Sequence, residues 1–143
     1  TAGVQSLRIL EIDAYWCSDT SVDLSKAINC AVMPQLRVLR LAALALVFAR
    51  SCAKDTQARW QLEELSIRDA ETFGLADLHN LLDGIGTAQS VASALRVSLK
   101  LAPTNRVLKA DVVEAVMERL PAIKATNLKC SQRSSTSVVP TLP

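Results

Sequence analysis

His79 is the single histidine of the chain, in Asp77-Leu-His79-Asn80-Leu-Leu with Asp83 one helical turn further on. An imidazole beside a carboxylate is the pair from which general acid–base and triad chemistry are built. Such chemistry also needs a nucleophile, and no serine or cysteine signature accompanies the pair. The segment instead predicts a solvated histidine on the polar side of a short helix. Gly84-Ile-Gly86 is a second candidate, a phosphate-binding loop. The dinucleotide fingerprint needs three glycines between a strand and a helix. Here two glycines follow a helical pattern and no third comes at the right spacing, so they predict a helix-ending turn.

The thiols are Cys17, Cys30, Cys52 and Cys130, separated by 13, 22 and 78 positions. A zinc site needs clustered thiolate or imidazole ligands; no Cys-x-x-Cys occurs and His79 is near none of the four, so no metal or other cofactor is expected. Cys17, beside Tyr15 and Trp16, could be a reactive thiol, but Glu11, Asp13 and Asp19 surround it. Negative neighbours disfavour the thiolate. The cysteines therefore read as reduced and mostly buried. No paired carboxylates and no P-loop appear elsewhere, and the chain is expected not to be an enzyme.

What positions side chains in such a protein is its core, and composition restricts that core. Of 143 residues 50% are hydrophobic but only 3% aromatic, so Leu, Val, Ile and Ala must fill the interior. That suits layered, repetitive packing. A net charge of +2, from 16 basic and 14 acidic residues, falls short of the basic excess of a general nucleic-acid binder. The longest apolar run, Leu41 to Ala49 between Arg40 and Arg50, is too short to cross a bilayer and reads as core. No secretory signal pattern opens the chain. These features together predict a protein of the cytoplasm or nucleus with no membrane association.

One pattern recurs. Leu7-Arg-Ile-Leu10-Glu-Ile12 returns as Leu36-Arg-Val-Leu39-Arg-Leu41 and as Leu62-Glu-Glu-Leu65-Ser-Ile67. Weaker copies are Ala94-Leu-Arg-Val97-Ser-Leu99 and Leu120-Pro-Ala-Ile123-Lys-Ala125, the units starting 29, 26, 32 and 26 residues apart. Each step fits one strand plus one helix. Thr20 to Met33 carries Leu24, Ala27, Ile28, Ala31 and Val32, the series of a buried helical stripe, with Thr20 and Asp23 at its start and Pro34 after it. Leu75 to Leu82 and Leu108 to Leu120 repeat the helical period, and Val47 to Trp60 is helix-compatible but less regular. Strands are expected near 8–13, 37–42, 63–68, 95–101 and 122–126.

Strand, helix, strand, repeated, implies an α/β chain with a parallel sheet. A sheet covered on both faces would show near-continuous apolar strands. Here apolar and polar residues alternate: Leu10 and Ile12 around Glu11, Leu39 and Leu41 around Arg40, Leu65 and Ile67 around Ser66. One face is packed on helices and the other is wet. In these units the chain resembles the leucine-rich-repeat family, in its longer helix-containing variety, similar to the repeats of F-box-type adaptors. Leu36, Leu39, Leu41, Leu44 and Leu46 match its spacing best. The repeats are degenerate: Tyr15, Leu44, Ala70, Ala102 and Leu128 stand where the family places Asn or Cys. The resemblance implies a solenoid of about five repeats over residues 1–130, a parallel sheet on one face and helices on the other, acting as a non-catalytic interaction module or adaptor.

In a solenoid the wet strand positions line the concave surface, where partners bind. By strand parity these are Glu11 and Asp13 on the first strand, Arg40 on the second, Arg68 on the third, Arg96 and Lys100 on the fourth and Lys124 on the fifth. The cations Arg40, Arg68, Lys100 and Lys124 would form a path suited to a protein partner with an acidic segment. Two other readings compete: a structural subunit of a large assembly, and a small α/β enzyme or nucleotide-binding domain. From Ser131 the chain turns Ser-, Thr- and Pro-rich, and residues 131–143 read as a flexible tail.

Overall fold

A computed structural model of the chain describes residues 6–13, 22–42, 45–51, 59–87 and 92–132. Its elements are β1 (Ile9–Asp13), β2 (Val22–Asp23), β3 (Val38–Ala42), β4 (Leu46–Val47), β5 (Glu64–Ala70), α1 (Leu75–Leu82), β6 (Arg96–Leu101), α2 (Lys109–Arg119), a 3-10 turn (Ala125–Asn127) and β7 (Leu128–Gln132). The long strands form one five-stranded sheet in the order β1-β3-β5-β6-β7, and β2 pairs with β4 in a second, two-stranded one. Every pairing is parallel. The architecture is α/β with an open parallel sheet.

Period-two alternation sets the register. Leu10, Leu39, Leu65, Val97 and Leu128 stand in one row across the sheet, and Ile12, Leu41, Ile67, Leu99 and Cys130 in the next. Leu39 and Leu65 are 0% exposed, and Leu41, Ile67, Val97 and Leu99 at most 1%. A slip of one residue would turn every one of them to water. Beneath these rows lie Leu78, Leu81 and Leu82 of α1 and Val112, Ala115 and Val116 of α2, in the same apolar cluster. The intervening strand positions point the other way, and most are exposed. Composition predicts an aliphatic core, yet Trp60, Phe48 and Phe73 are buried too. The phenyl rings meet edge to face at 6.4 Å, and the Trp60 indole N–H donates to the Met33 carbonyl at 2.9 Å.

Four strands lie within two residues of their expected bounds; the fifth does not. Leu120-Pro-Ala-Ile123 has strand-like spacing but forms the turn that leaves α2, where Ile123 N–H bonds Leu120 C=O at 3.0 Å and both residues are buried. The strand follows at Leu128–Gln132, so Ser131 and Gln132, expected in the tail, belong to the sheet. Residues 133–143 lie outside the described ones.

The helix expected over Thr20 to Met33 is absent. From Val22 onward this stretch is a short strand followed by turns; Thr20, its expected cap, lies outside the described residues. Asn29 accounts for the interruption. Its amide donates to Ser25 C=O at 2.9 Å and Lys26 C=O at 3.1 Å, and its oxygen accepts from Ala31 N–H and Val32 N–H, both at 2.9 Å. A side chain holding four backbone groups competes with the helical ladder. Val47 to Trp60 starts in β4 and has no helix through Ser51; residues 52–58 lie outside the described ones.

α1 and α2 form as expected. Asp77 caps α1 by accepting Gly74 N–H at 2.8 Å and ties it to the preceding unit by accepting Phe48 N–H at 2.9 Å. In α2 the stripe is narrower than its sequence period: Leu108 and Met117 are 64% and 38% exposed. Among the described residues no helix is long and apolar enough to cross a membrane.

Candidate functional site

The open sheet face is a grid fixed by the same register. Ile9, Val38, Glu64 and Arg96 form its first row; Glu11, Arg40, Ser66, Ser98 and Lys129 the second; Asp13, Ala42, Arg68, Lys100 and Ser131 the third. Adjacent strands in a sheet are about 4.8 Å apart, so neighbours in a row can touch.

One half of the grid is internally neutralised. Arg40 forks onto Glu64, with Nε to Oε2 at 2.7 Å and Nη2 to Oε1 at 3.2 Å, and its Nη1 reaches Glu11. Glu64 also faces Arg96 at 3.6 Å. The hydrogen bonds from Arg40 hold the Glu64 carboxyl below the usual carboxylate range, against a smaller opposing effect of burial. Glu64 and Glu11 together keep Arg40 firmly protonated. Four of the expected partner-binding residues or their neighbours, Glu11, Arg40, Glu64 and Arg96, are therefore bound to one another.

The third row differs. Arg68 and Lys100 are direct neighbours in register, both exposed, and neither forms an ion pair with a described residue. Asp13 shares their row but is separated from Arg68 by Ala42. β5 carries a bulge immediately after Arg68, where Asp69 has φ 60°. A short polar side chain tolerates that left-handed backbone better than most. Ser66 and Ser98 leave a trough beside these cations, part of a cleft of about 330 Å³ that also takes in Glu64, Arg96, Asn127 and Lys129.

Lys124, expected on the fifth strand, is not on a strand. It stands exposed before the 3-10 turn, and Lys129 occupies the corresponding strand position. The path Arg40, Arg68, Lys100, Lys124 is thus not a single line: Arg40 is committed to two carboxylates, Lys124 is off the sheet, and Arg68 with Lys100 remain adjacent.

A second set of polar residues, not anticipated from the sequence, anchors the loops after the strands. Asn105, 5% exposed, donates to Ala70 C=O at 3.1 Å and Phe73 C=O at 2.9 Å, and accepts Val107 N–H at 2.9 Å. Gln132 donates in turn to Asn105 C=O at 2.5 Å and Ala102 C=O at 3.1 Å. One unit earlier Asn80 donates to Phe48 C=O at 2.7 Å, and Thr72 Oγ1 to Leu46 C=O at 3.2 Å. These groups join the loops that follow neighbouring strands, although Ala70 and Ala102 themselves are apolar. The signal lay a few residues further on, in Asn105 and Gln132.

His79 is not the solvated surface residue expected. It is half-buried at the seam of α1 and α2, near Asp111, Glu114 and Glu118, and its Nδ1 is buried without a hydrogen-bond partner. Asp83, the carboxylate one turn on, pairs with Arg119. Gly84 and Gly86 end α1 as expected: Gly84 N–H bonds Leu81 C=O at 3.1 Å, and Gly86 N–H bonds Trp60 C=O at 2.8 Å. A Cβ at Gly86 would sit 3.3 Å from that carbonyl oxygen. Cys30 and Cys130 are both buried, and burial pushes the Cys130 pKa up. Cys17 and Cys52 lie outside the described residues. Among the described residues no group of three or more His, Cys, Asp and Glu side chains could hold a metal ion.

No protein-family model matches the chain, and no curated protein or solved structure shows significant similarity to it.

Proposed function

We propose that this chain is a segment of a leucine-rich-repeat-like solenoid, a non-catalytic adaptor that binds a protein partner through the open sheet face. The reading is supported by strands that neighbour one another in chain order with one face packed and one bare. The observation that carries the binding role is the Arg68–Lys100 pair, adjacent in register with no ion-pair partner among the described residues. Like charges directly opposite on neighbouring strands are unfavourable, and an acidic segment of a partner would relieve them. Such charges steer encounter and fix register more than they add affinity.

The test is binding of a fluorescein-labelled octaglutamate peptide, followed by anisotropy. Reversal of both cations, Arg68→Glu with Lys100→Glu, should weaken binding at least tenfold and flatten its salt dependence, with an unchanged far-ultraviolet spectrum. Affinity within twofold of the native protein would refute the reading. Arg40→Gln should matter less, since Arg40 is already held by Glu11 and Glu64.

A second reading, a subunit built into a larger assembly, draws on the β1 edge. Ile9 is 59% exposed there, and Leu10 and Ile12 are only partly covered. Sedimentation of the native protein and of Ile9→Lys tests it: concentration-dependent association that the lysine abolishes supports this reading, and a monomer at all concentrations removes self-assembly through that edge.

A further inference from the structure

At the end of the sheet where the strands begin, three arginines converge on one cleft. Arg8, Arg37 and Arg59 line it with Gln35 and Gln61, over a floor of Leu36, in a volume of about 240 Å³. No carboxylate is among the described residues that line it. On the open face cations and carboxylates mix; the charged residues that line this cleft are all arginines.

The arrangement is fixed by the backbone. Arg8 and Arg37 precede β1 and β3 and are neighbours across the two strands: Arg37 N–H donates to Arg8 C=O at 2.7 Å, and Val38 N–H to the same oxygen at 2.9 Å. Parallel neighbours of this kind stand about 4.8 Å apart, so two guanidinium stems leave side by side. Arg37 has an acidic companion in Glu63, but at 3.9 Å, with 46% and 62% of the two side chains exposed. The third stem is held from another direction. Arg59 precedes Trp60, whose backbone N–H bonds Gly84 C=O at 2.7 Å and whose C=O accepts Gly86 N–H at 2.8 Å. Leu36 is 0% exposed, so the floor is a core residue. Three arginine stems thus leave anchored backbone around one recess, so no backbone ordering is needed when a ligand arrives.

We propose that this cleft binds a phosphoryl group. Arginine forks match phosphate oxygens with paired hydrogen bonds. A phosphate monoester carries roughly −1.5 to −2 charge and three acceptor oxygens, which suits the adjacent forks of Arg8 and Arg37 better than the single charge and two oxygens of a carboxylate. The Gln35 and Gln61 amides add neutral donors at the rim. The recess is below the roughly 300 Å³ of a typical small-molecule site, so it takes the phosphoryl group and little of what carries it. No aromatic ring is among the described lining residues to stack a base, which disfavours a nucleic acid. The cleft lies apart from Arg68 and Lys100, so the proposal stands or falls independently of the open-face reading.

The experiment is an amide NMR titration with inorganic phosphate, with sodium chloride at matched ionic strength as the control. Saturable shifts at Gln35, Leu36, Arg37 and Gln61, absent with chloride, are expected. Arg8→Gln with Arg37→Gln should raise the dissociation constant at least tenfold while leaving the phosphate-free protein as stable as the native one, because the lost charges repel each other. Should the double variant misfold, Arg8→Gln alone should weaken binding at least threefold. A phosphothreonine heptapeptide and its unphosphorylated form identify the source. Binding more than tenfold tighter than phosphate and dependent on the phosphoryl group indicates a modified partner protein; equal affinity indicates a small phosphorylated molecule. No saturable shift, shifts centred on Arg68 and Lys100, an oligonucleotide that outcompetes the phosphopeptide, or variants that bind phosphate within twofold of the native protein would each overturn the proposal.

Discussion

Two connecting segments of this chain carry the same apolar period, and only one is a helix. Lys109–Arg119 folds as α2 and buries Val112, Ala115 and Val116. The stretch from Leu24 to Met33 has Leu24, Ile28 and Val32 at matching intervals, yet it forms turns. The difference lies in the polar residues between. α2 has one aspartate in its first turn, and the polar residues after it, Glu114, Glu118 and Arg119, are good helix formers. The earlier segment has Asp23, whose carboxylate accepts Ser25 N–H at 3.0 Å and Ala49 N–H at 3.1 Å, and Asn29, which holds four backbone groups. Both segments place apolar side chains in the same core cluster. The sheet thus requires an apolar underside but not a helix to supply it.

If that is correct, strand residues above the two kinds of connector should matter equally. Leu39 in β3 and Leu99 in β6 are 0% and 1% exposed. Leu39→Ala and Leu99→Ala should each destabilise by about 2–5 kcal/mol, the cost of truncating a buried leucine. Urea unfolding midpoints measure both. A Leu39 variant much closer to native than the Leu99 variant would break the equivalence and place stability mainly in the helical half.

The next effect tests the polar clamps of the later half. Asn105→Ala removes the side-chain partner of Phe73 C=O and Val107 N–H and one of the two donors to Ala70 C=O in a buried loop, at a cost on the order of 1–3 kcal/mol. Hydrogen exchange should accelerate at Val107, whose N–H loses its acceptor. Unchanged exchange there, with an unchanged midpoint, would show that water replaces the side chain.

The contrast between the two connectors also marks how far the sequence could be read. Strands β1, β3, β5 and β6 were legible because alternation under a one-sided core leaves a period-two record. α1 and α2 were legible for the corresponding helical reason. β7 was not, because Leu120 and Ile123 have strand spacing but anchor a turn, and that took Lys124 out of the grid. The Asn29 turn was hidden because apolar period is blind to a side chain that competes for backbone bonds. The acidic and basic strand residues were visible individually. Their pairing depends on which residues face each other across strands, so the commitment of Arg40 to Glu11 and Glu64 appears only once the register is known. The Arg8–Arg37–Arg59 cleft unites residues far apart in sequence and left no local pattern.

Asn29→Ala converts the comparison into a smaller measurement. Removing a partly exposed side chain that holds the turn should cost about 0.5–1 kcal/mol, the lower part of the range for intramolecular hydrogen bonds. The freed backbone can then form the helical ladder that the apolar period favours, so ellipticity at 222 nm should become more negative. A loss of ellipticity would mean that the turns are imposed by packing against β4 and not by Asn29.

The smallest effect concerns Glu64, which ties β5 electrostatically to the strands on either side. Glu64 on β5 accepts from Arg40 on β3 and faces Arg96 on β6. Its carboxyl is held below the usual range by Arg40. A carboxyl with a lowered folded-state pKa stabilises the fold above its unfolded value, about 4.3 for glutamate. That contribution is lost as pH falls through the folded-state value. Glu64→Gln should therefore lie slightly below the native protein in urea midpoint at pH 7 and converge with it under acid conditions. The pairs are solvent-facing, so the gap should shrink with salt and stay well under that of Asn105→Ala. A gap of equal size at pH 7 and pH 3 would assign the role of Glu64 to packing, and the neutralised half of the face would then owe its order to shape instead of charge.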